Sequence, residues 1–558
     1  MRAKILAAGL MAALVPGLTQ ADMAAPPILA LGLCASGAGD LAAMATPPRQ
    51  TELMSGYGQV HWKIATASPE AQAFFDNGLE LGHAFAHKSA LAAFEEASRR
   101  DPDCAMCLWG QAWAGGATIN FTVDAETQGK MAALMARATT LAADGPPLER
   151  QLIAAMTLRY RNGGGKGPGD DAYAKAMDAL ARANPDDNEL AVLAADALMV
   201  PASLRNTKVG LPRAVELLEA ALKRDPDNVP AIHFYIHATE MSGFTARAEP
   251  YADKLEALAP SASHLVHMPS HTYYWVGRYE DAMASNVRAS KLDEANAQAQ
   301  GFTGDGAAFQ LFYHGHNVQY GLAGALMSGD AAGGLALAAS AIANGPRLKP
   351  DDAWGQMVAG AAYALEGRYG APDAVLALAD PGQPYLRSMW RYARAEALGR
   401  GGDVAGLRRE AGQVELDKAQ LKSFGPYGGQ LADATRLARL VLEGRAAMLD
   451  GQPKAAARIL RQAAELEEKR FTDMTDPPIW YPARRSLAAA LLASGDAQGA
   501  ATQARAALVR RVGDPVSLSV LAQAERRLGQ AEAADQHLAQ ARKGWVGGDL
   551  SKVSLAQS

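Results

Sequence analysis

Histidines concentrate in one short part of this 558-residue sequence. Of its 11 histidines, seven fall within one stretch of the chain: His233, His237, His264, His267, His271, His314 and His316. His233 and His237 are four residues apart, and His267 and His271 repeat that spacing further along the chain. Side chains four residues apart lie on the same face of an α-helix. The pattern therefore predicts paired imidazoles on two successive helices.

The elements that carry these pairs follow a regular helical repeat. Stretches rich in Ala and Leu, with apolar residues at i, i+3, i+4 and i+7, alternate with short Gly, Asp or Pro turns, whereas strand patterns are nearly absent. Pro226 and Pro260 are separated by the same interval as Gly243 and Gly277, and this interval is the 34-residue period of the tetratricopeptide repeat (TPR). We predict an all-α fold, a right-handed TPR superhelix (α-solenoid) of roughly eight to eleven helix-turn-helix repeats.

The repeat pattern also suggests how the chain is organised. We predict four parts: a signal peptide in residues 1–21, an extension without clear pattern in 22–68, an N-terminal TPR array with the histidines in 69–345, and a C-terminal TPR array in 346–558. Small buried residues such as Ala282 and Ala289 let neighbouring helices approach closely, so a continuous core forms by stacking.

The first residues have the composition of an export signal. Arg2 and Lys4 precede an apolar stretch, and Ala21 ends a segment suited to cleavage. We therefore expect a secreted or periplasmic protein. Lipid attachment at Cys34 is not expected, because Leu33 stands where a lipoprotein signal has a small residue.

Charge and motif content exclude several classes of protein. The formal net charge is −5, and Lys and Arg are interspersed with Asp and Glu instead of forming a basic stripe, so we expect no nucleic-acid partner. Beyond the signal, no segment offers the ~18 to 20 apolar residues of a transmembrane helix, so we expect no membrane span. Phosphate-loop, dinucleotide-binding and nucleophile-elbow motifs are also absent.

Two cysteines lie three residues apart in "DPDCAMCLWG". In an oxidising compartment Cys104 and Cys107 can form a disulfide; two packed thiols at a helix junction are the alternative. Leu108 stands where a haem-attachment motif has histidine, and two cysteines are too few for a structural zinc site.

Alignment of the repeats on their turn glycines brings the candidate side chains onto one face. With that glycine at position 15, both histidine pairs occupy positions 5 and 9 of a first helix, which faces the concave groove of a TPR superhelix. The predicted metal ligands are His233, His237, Glu240, His264, His267, His271 and His316. Further groove candidates are His83, His314 and Tyr273. Pro269 lies inside its helix, and it is predicted to kink the helix or delay its start.

Imidazole and carboxylate ligands suit a divalent transition metal, Zn, Cu, Fe or Mn, without deciding between them. Two other interpretations stay open. The histidines can line a groove that binds an anion or a peptide carboxylate, or their placement on the repeat can be incidental.

Several segments resemble a family of exported bacterial TPR proteins. They are "FFDNGLELGHAFAHKSALAAFEEASRRDPDCAMCLWGQAWAGG", "IHFYIHATE", "HLVHMPSHTYYWVGRYEDAMASN", "FYHGHNVQYG" and "DPPIWYPARRSLAAALLASGD". The resemblance covers most of residues 69–510, and its most specific piece is the His-x-x-His-Met-Pro-Ser-His segment. It implies the TPR fold and export, and it assigns no reaction and no catalytic residue.

Two functions agree with these observations. As a binding or scaffold protein, the chain holds a peptide or protein partner in its groove, with a metal as staple or cargo. As a metal-dependent enzyme, an oxidoreductase or a hydrolase, it keeps a coordination position open for water or a small-molecule substrate, with Glu240 as ligand or general base. The usual role of the fold, and the absence of a catalytic motif, favour binding.

Overall fold

The computed structural model describes residues 52–164, 167–205, 207–304, 306–471 and 482–558. The predicted signal peptide, Cys34 and most of the predicted extension lie outside the described residues. Within them the regular elements are helices, as predicted, and no β-strand occurs.

The α-helices of the first half of the chain are α1 (Pro69–His83), α2 (His87–Arg100), α3 (Ala105–Ala114), α4 (Ala125–Leu141), α5 (Pro147–Arg161), α6 (Pro168–Ala183), α7 (Asn188–Leu204), α8 (Leu211–Arg224), α9 (Val229–Ser242), α10 (Glu249–Leu258), α11 (Ser263–His267), α12 (Pro269–Val276) and α13 (Tyr279–Ala299). Those of the second half are α14 (His314–Ser328), α15 (Ala331–Asn344), α16 (Ala353–Tyr369), α17 (Pro372–Ala377), α18 (Pro384–Arg400), α19 (Val404–Ala411), α20 (Lys418–Ser423), α21 (Gly428–Leu449), α22 (Pro453–Arg470), α23 (Ala483–Ala493), α24 (Ala497–Arg510), α25 (Pro515–Arg527) and α26 (Ala531–Lys543).

Consecutive helices pack as helix-turn-helix pairs, as the 34-residue period predicts. Gly243 ends α9 and Gly277 ends α12, both in the left-handed conformation, with φ of 87° and 85°. Glycine adopts this conformation without steric penalty, so it ends the first helix and lets the chain turn into the second. These are the two turn positions from which the repeat was predicted.

The first helices of successive pairs form one continuous layer. Contacts join α7 to α9, α9 to α12, α12 to α14, α14 to α16 and α16 to α18, while each second helix packs against the first helix of its own pair and that of the next. Ala282 and Ala289 of α13 are fully buried in this stack. The all-α solenoid prediction is confirmed.

The stacked repeats curve far enough for distant parts of the chain to meet. The Tyr279 hydroxyl donates to the Val512 carbonyl at 2.9 Å. The amide of Val546 donates to the carbonyl at the end of α14, and Ser486 on α23 donates to the Ser558 carbonyl at 2.6 Å. The last described residues therefore lie against α14 and α23.

Pro269 interrupts a first helix, as predicted. The helix begins at Ser263 but is divided into α11 and α12 at Met268, whose amide donates to the His264 carbonyl at 2.9 Å. Proline has no N–H to donate to the preceding turn, so the ladder of main-chain hydrogen bonds is interrupted at Pro269. It resumes with the His271 amide, which donates to the Met268 carbonyl. The histidines of this repeat are thus shared between two short helices.

Two further features complete the fold. Cys104 and Cys107 form a buried disulfide at the start of α3. Residues 52–68 contain no helix and pack on the first repeats, where the Trp62 and Trp109 rings meet edge to face. Among the described helices, none combines the length and the apolar character needed to cross a bilayer.

Candidate metal centre

Six of the predicted histidines form two groups of three inside the N-terminal array. Triad A is His233 and His237 of α9 with His264 of α11. Triad B is His267 of α11, His271 of α12 and His316 of α14. Within each triad, one ligand atom per residue lies within 4.8 Å of the others.

The two triads are the same arrangement displaced by one repeat. Each combines an i, i+4 pair from one first helix with a single histidine contributed further along the layer. The pair of triad B lies one 34-residue repeat after the pair of triad A. Because neighbouring first helices pack side by side, the same positions meet across each interface, and the repeat therefore builds the site twice.

The Nε2 atoms within the triads converge. The distance is 3.2 Å between His233 and His264. In triad B, the His271 Nε2 lies 3.0 Å from that of His267 and 3.2 Å from that of His316. Two imidazole ligands on one tetrahedral ion, each at ~2.0 to 2.1 Å, are about 3.3 Å apart. The observed separations are close to those of ligands that share an ion.

Asn286 on α13 determines which nitrogen of His267 faces triad B. Its Oδ1 accepts a hydrogen bond from the His267 Nδ1 at 2.6 Å. Its Nδ2 donates to the Ala282 carbonyl at 2.7 Å, which fixes the orientation of the amide. A neutral imidazole that donates from Nδ1 carries its lone pair on Nε2. His267 therefore directs a lone pair at His271.

Glu240 lies behind His271. One carboxylate oxygen accepts from the His271 Nδ1 at 2.8 Å, and the other accepts from the Trp275 indole at 3.3 Å and the Tyr320 hydroxyl at 3.4 Å. The side chain is buried. A carboxylate on the outer nitrogen of a ligating histidine orients the ring and raises its basicity. In this structure Glu240, predicted as a ligand, contacts that outer nitrogen and not the converging Nε2 atoms.

The outer contacts of triad A differ from those of triad B, which are made by Asn286 and Glu240. The His233 Nδ1 donates to the main-chain carbonyl of His83 at 2.6 Å, and the His83 ring contacts Glu189 at 2.6 Å. The Nε2 of His237 and the Nδ1 of His264 are buried without a hydrogen-bond partner. An unpartnered buried nitrogen is costly unless another group, such as a metal ion, satisfies it.

Burial lowers the pKa of five of the six imidazoles. Loss of solvent lowers the pKa of His233 to about 3. The same cause, together with repulsion between neighbouring imidazoles, holds the pKa of four others well below the usual value: His237, His264, His267 and His316. Neutral imidazole is the form that binds metals. Imidazole nitrogens that approach one another this closely can each direct a lone pair at one shared cation.

An aromatic side chain covers triad A. The Phe85 ring centroid is 4.5 Å from that of His233 and 4.9 Å from that of His264, and the Tyr313 ring lies 4.5 Å from His264. Among the described residues, Phe85 is the one non-glycine residue with positive φ, at 58°. Such strain in a bulky residue is retained where the surroundings enforce it, which is common at functional sites.

The two triads adjoin each other. The ring centroids of His237 and His271 are 5.5 Å apart, and those of His264 and His267 are 5.6 Å apart. All six residues are between 0% and 3% exposed. The structure brings these six histidines together, as their shared face of the repeat predicts. They lie between packed helices, however, and not on an open groove.

The other candidate residues have separate partners. The His314 Nδ1 pairs with Asp293 at 3.1 Å, and the Tyr273 hydroxyl donates to Asp253 at 2.8 Å. His83 contributes its carbonyl, as described above. Sequence reasoning did not find Phe85, Asn286 or Tyr320 as parts of the site, since none of the three belongs to a spaced pattern of ligand types.

Comparison with known proteins found distant structural similarities. No protein-family model matches the chain, and no curated protein matches its sequence. The human IFIT1 dimer with m7Gppp-AAAA aligns at a TM-score of 0.30 and 13% identity, covering 87% of this chain and 92% of that chain. Yeast Tom70 aligns at 0.23 and 13% (85% and 92% covered), and the P58(IPK) TPR domain at 0.21 and 14% (83% and 99%). Scores this low carry no argument about function.

Proposed function

We propose that this protein holds a dinuclear transition-metal centre, with one ion in triad A and one in triad B. The observation that carries the proposal is the approach of buried Nε2 atoms to 3.0 and 3.2 Å within the triads. In triad A the Nε2 of His237 is buried without a hydrogen-bond partner. A bound ion would accept lone pairs from the converging nitrogens and give the His237 Nε2 a partner.

Copper is the metal that the donor set fits best. The six converging ligands are all imidazoles, and the carboxylate of Glu240 stays on an outer nitrogen. Manganese prefers oxygen ligands, whereas imidazole suits copper, zinc and iron, and among the divalent ions copper binds nitrogen sites most strongly. Zinc is the closest competitor, and a direct comparison of the two is part of the test below.

The histidines are better suited to metal binding than to peptide binding. With 0% to 3% exposure they are not available to a peptide in the groove. Three protein ligands leave further coordination positions on each ion, which is the condition for chemistry at a metal. We therefore infer a helical-repeat scaffold whose N-terminal array serves to position two reactive ions.

We also propose that the protein is exported. The N-terminal sequence from Arg2 to Ala21 has the order of a secretory signal. The disulfide between Cys104 and Cys107 supports an oxidising compartment, where such bonds persist.

The test is the metal content of the full chain after purification and chelation. Apoprotein is titrated separately with Cu(I) under anaerobic conditions, with Cu(II) and with Zn(II), and bound metal is counted by mass spectrometry. We expect two copper ions per chain, held more tightly than zinc. His237→Ala removes a ligand from triad A and His316→Ala one from triad B, so each variant is expected to retain one tight site.

His314→Ala is the matched control. His314 is a buried histidine of the same region, but it pairs with Asp293 and belongs to neither triad. It is expected to keep both ions, and circular dichroism checks that all variants fold. Wild-type metal content no higher than that of a His237→Ala/His271→Ala double variant contradicts the proposal. A single ion per wild-type chain contradicts its dinuclear form.

A further inference from the structure

The relation between the triads indicates what the proposed centre binds. We propose that two Cu(I) ions, one per triad, bind a single dioxygen molecule between them; this inference rests on the proposed metal centre. Rings of triad A contact rings of triad B at two places, His237 with His271 and His264 with His267. Each ion has three protein ligands and open positions remaining, so a diatomic molecule can bridge two such neighbours.

The charge of the surrounding residues favours two Cu(I) ions over two divalent ions at this site. The six converging ligands are imidazoles, and the carboxylate of Glu240 contacts the outer nitrogen of His271. Two Cu(II) or two Zn(II) ions bring four positive charges into a buried space, which is costly when they are not compensated. Two Cu(I) ions bring only two.

Binding of dioxygen then leaves the buried charge unchanged. Each Cu(I) gives one electron and becomes Cu(II), and dioxygen accepts both electrons and becomes peroxide. The O–O bond order falls from two to one, and no proton is taken up. The ions gain two positive charges while the bound molecule gains two negative charges. The reverse transfer releases dioxygen, so no external reductant is needed for binding.

Burial restricts access to the two triads to small, uncharged molecules such as dioxygen. All six ligands are at most 3% exposed, and Phe85 and Tyr313 lie against the rings of triad A. A small, uncharged molecule can pass through the transient gaps of such a packed region, whereas a large or charged substrate cannot enter without displacing helices. Dioxygen is small and apolar, so the barrier to its access is low.

Glu240 is not placed as the general base of a hydrolytic centre. In many hydrolytic metal sites such a base takes a proton from the attacking water. Glu240, the carboxylate in contact with a triad ring, already accepts from three donors: His271, Trp275 and Tyr320. It is therefore committed to orienting His271 and is not placed to act as that base.

The test uses the full chain loaded with two equivalents of Cu(I) in the absence of oxygen. We expect uptake of one dioxygen per two copper ions, measured with an oxygen electrode. An intense peroxide-to-copper charge-transfer band in the near ultraviolet should appear with it and disappear when oxygen is removed. The oxygenated form is expected to lack a copper EPR signal, because the bridge couples the two Cu(II) spins.

Variants distinguish a failure of dioxygen binding from a failure of metal binding. His264→Ala is expected to bind one copper and show no charge-transfer band, since one ion cannot supply both electrons, and His314→Ala is expected to match the wild type. Wild-type protein that holds two copper ions but takes up no dioxygen overturns the inference and leaves the metal centre intact. Oxidation to two EPR-visible, uncoupled Cu(II) ions also overturns it. Failure to bind two ions at all overturns the metal centre instead.

Discussion

Replacement of Asn286 by leucine tests whether the outer contacts of triad B set its affinity. The side chain is fully buried, and its Oδ1 lies 2.6 Å from the His267 Nδ1. Leucine is similar in size but removes the acceptor, so a buried N–H loses its partner and the ring is free to rotate. Loss of such an outer contact lowers metal affinity by roughly 10- to 100-fold, equivalent to about 1.4 to 2.8 kcal/mol. We expect this loss at triad B alone.

The assay is competition for copper with a chelator of known affinity, which resolves a tight and a weakened site in one titration. Asn286→Asp retains an acceptor for the His267 Nδ1 but loses the donor to the Ala282 carbonyl, so it is expected to weaken triad B less than Asn286→Leu does. Asn317→Leu is the control, because Asn317 is equally buried but its amide donates to Asp293. Equal weakening of both sites in Asn286→Leu, or no weakening of either, would refute the reasoning.

Substitutions at three other positions test separate features, each by urea denaturation of the metal-free protein. Burial lowers the pKa of His87 to about 3, so the folded state loses stability as the pH falls below the ~6.5 at which this side chain titrates in the unfolded chain. At pH 5 the loss amounts to about 2 kcal/mol. His87→Leu should therefore reduce the difference in unfolding free energy between pH 7 and pH 5 by about 2 kcal/mol. Phe85→Ala should cost about 3 to 5 kcal/mol, and Phe85→Gly about 1 kcal/mol less, because glycine accepts a φ of 58° without strain. Asp514→Asn leaves the fully buried Arg485 without its carboxylate partner and should cost about 3 to 5 kcal/mol.

The helical repeat could be predicted because its signals are local. A glycine at each turn and apolar residues on one helix face repeat at a fixed interval, and both act within a single helix pair. Gly243 and Gly277 were identified from spacing alone and have the predicted conformation. The contact between Tyr279 and Val512 could not be predicted in this way, because it depends on curvature summed over many repeats.

For the candidate site, the sequence predicts only which histidines share one face of the repeat. Position within the repeat placed His233, His237, His267 and His271 on one face, and the structure brings them together. Their division into two triads depends on how neighbouring helices approach, which the repeat period does not specify. The burial of the site follows from the same approach, so an open groove was expected where the structure has packed helices.

The two triads share one ring pattern but differ in what surrounds it. His233 is held by a main-chain carbonyl, whereas His271 is held by the carboxylate of Glu240 and His267 by Asn286. The carboxylate raises the basicity of His271 and places a negative charge beside triad B. Repetition of the helix pair therefore supplies equivalent imidazoles, and residues outside the repeated positions make the two triads unequal. Ions bound in the two triads, as proposed above, would therefore differ in electron density.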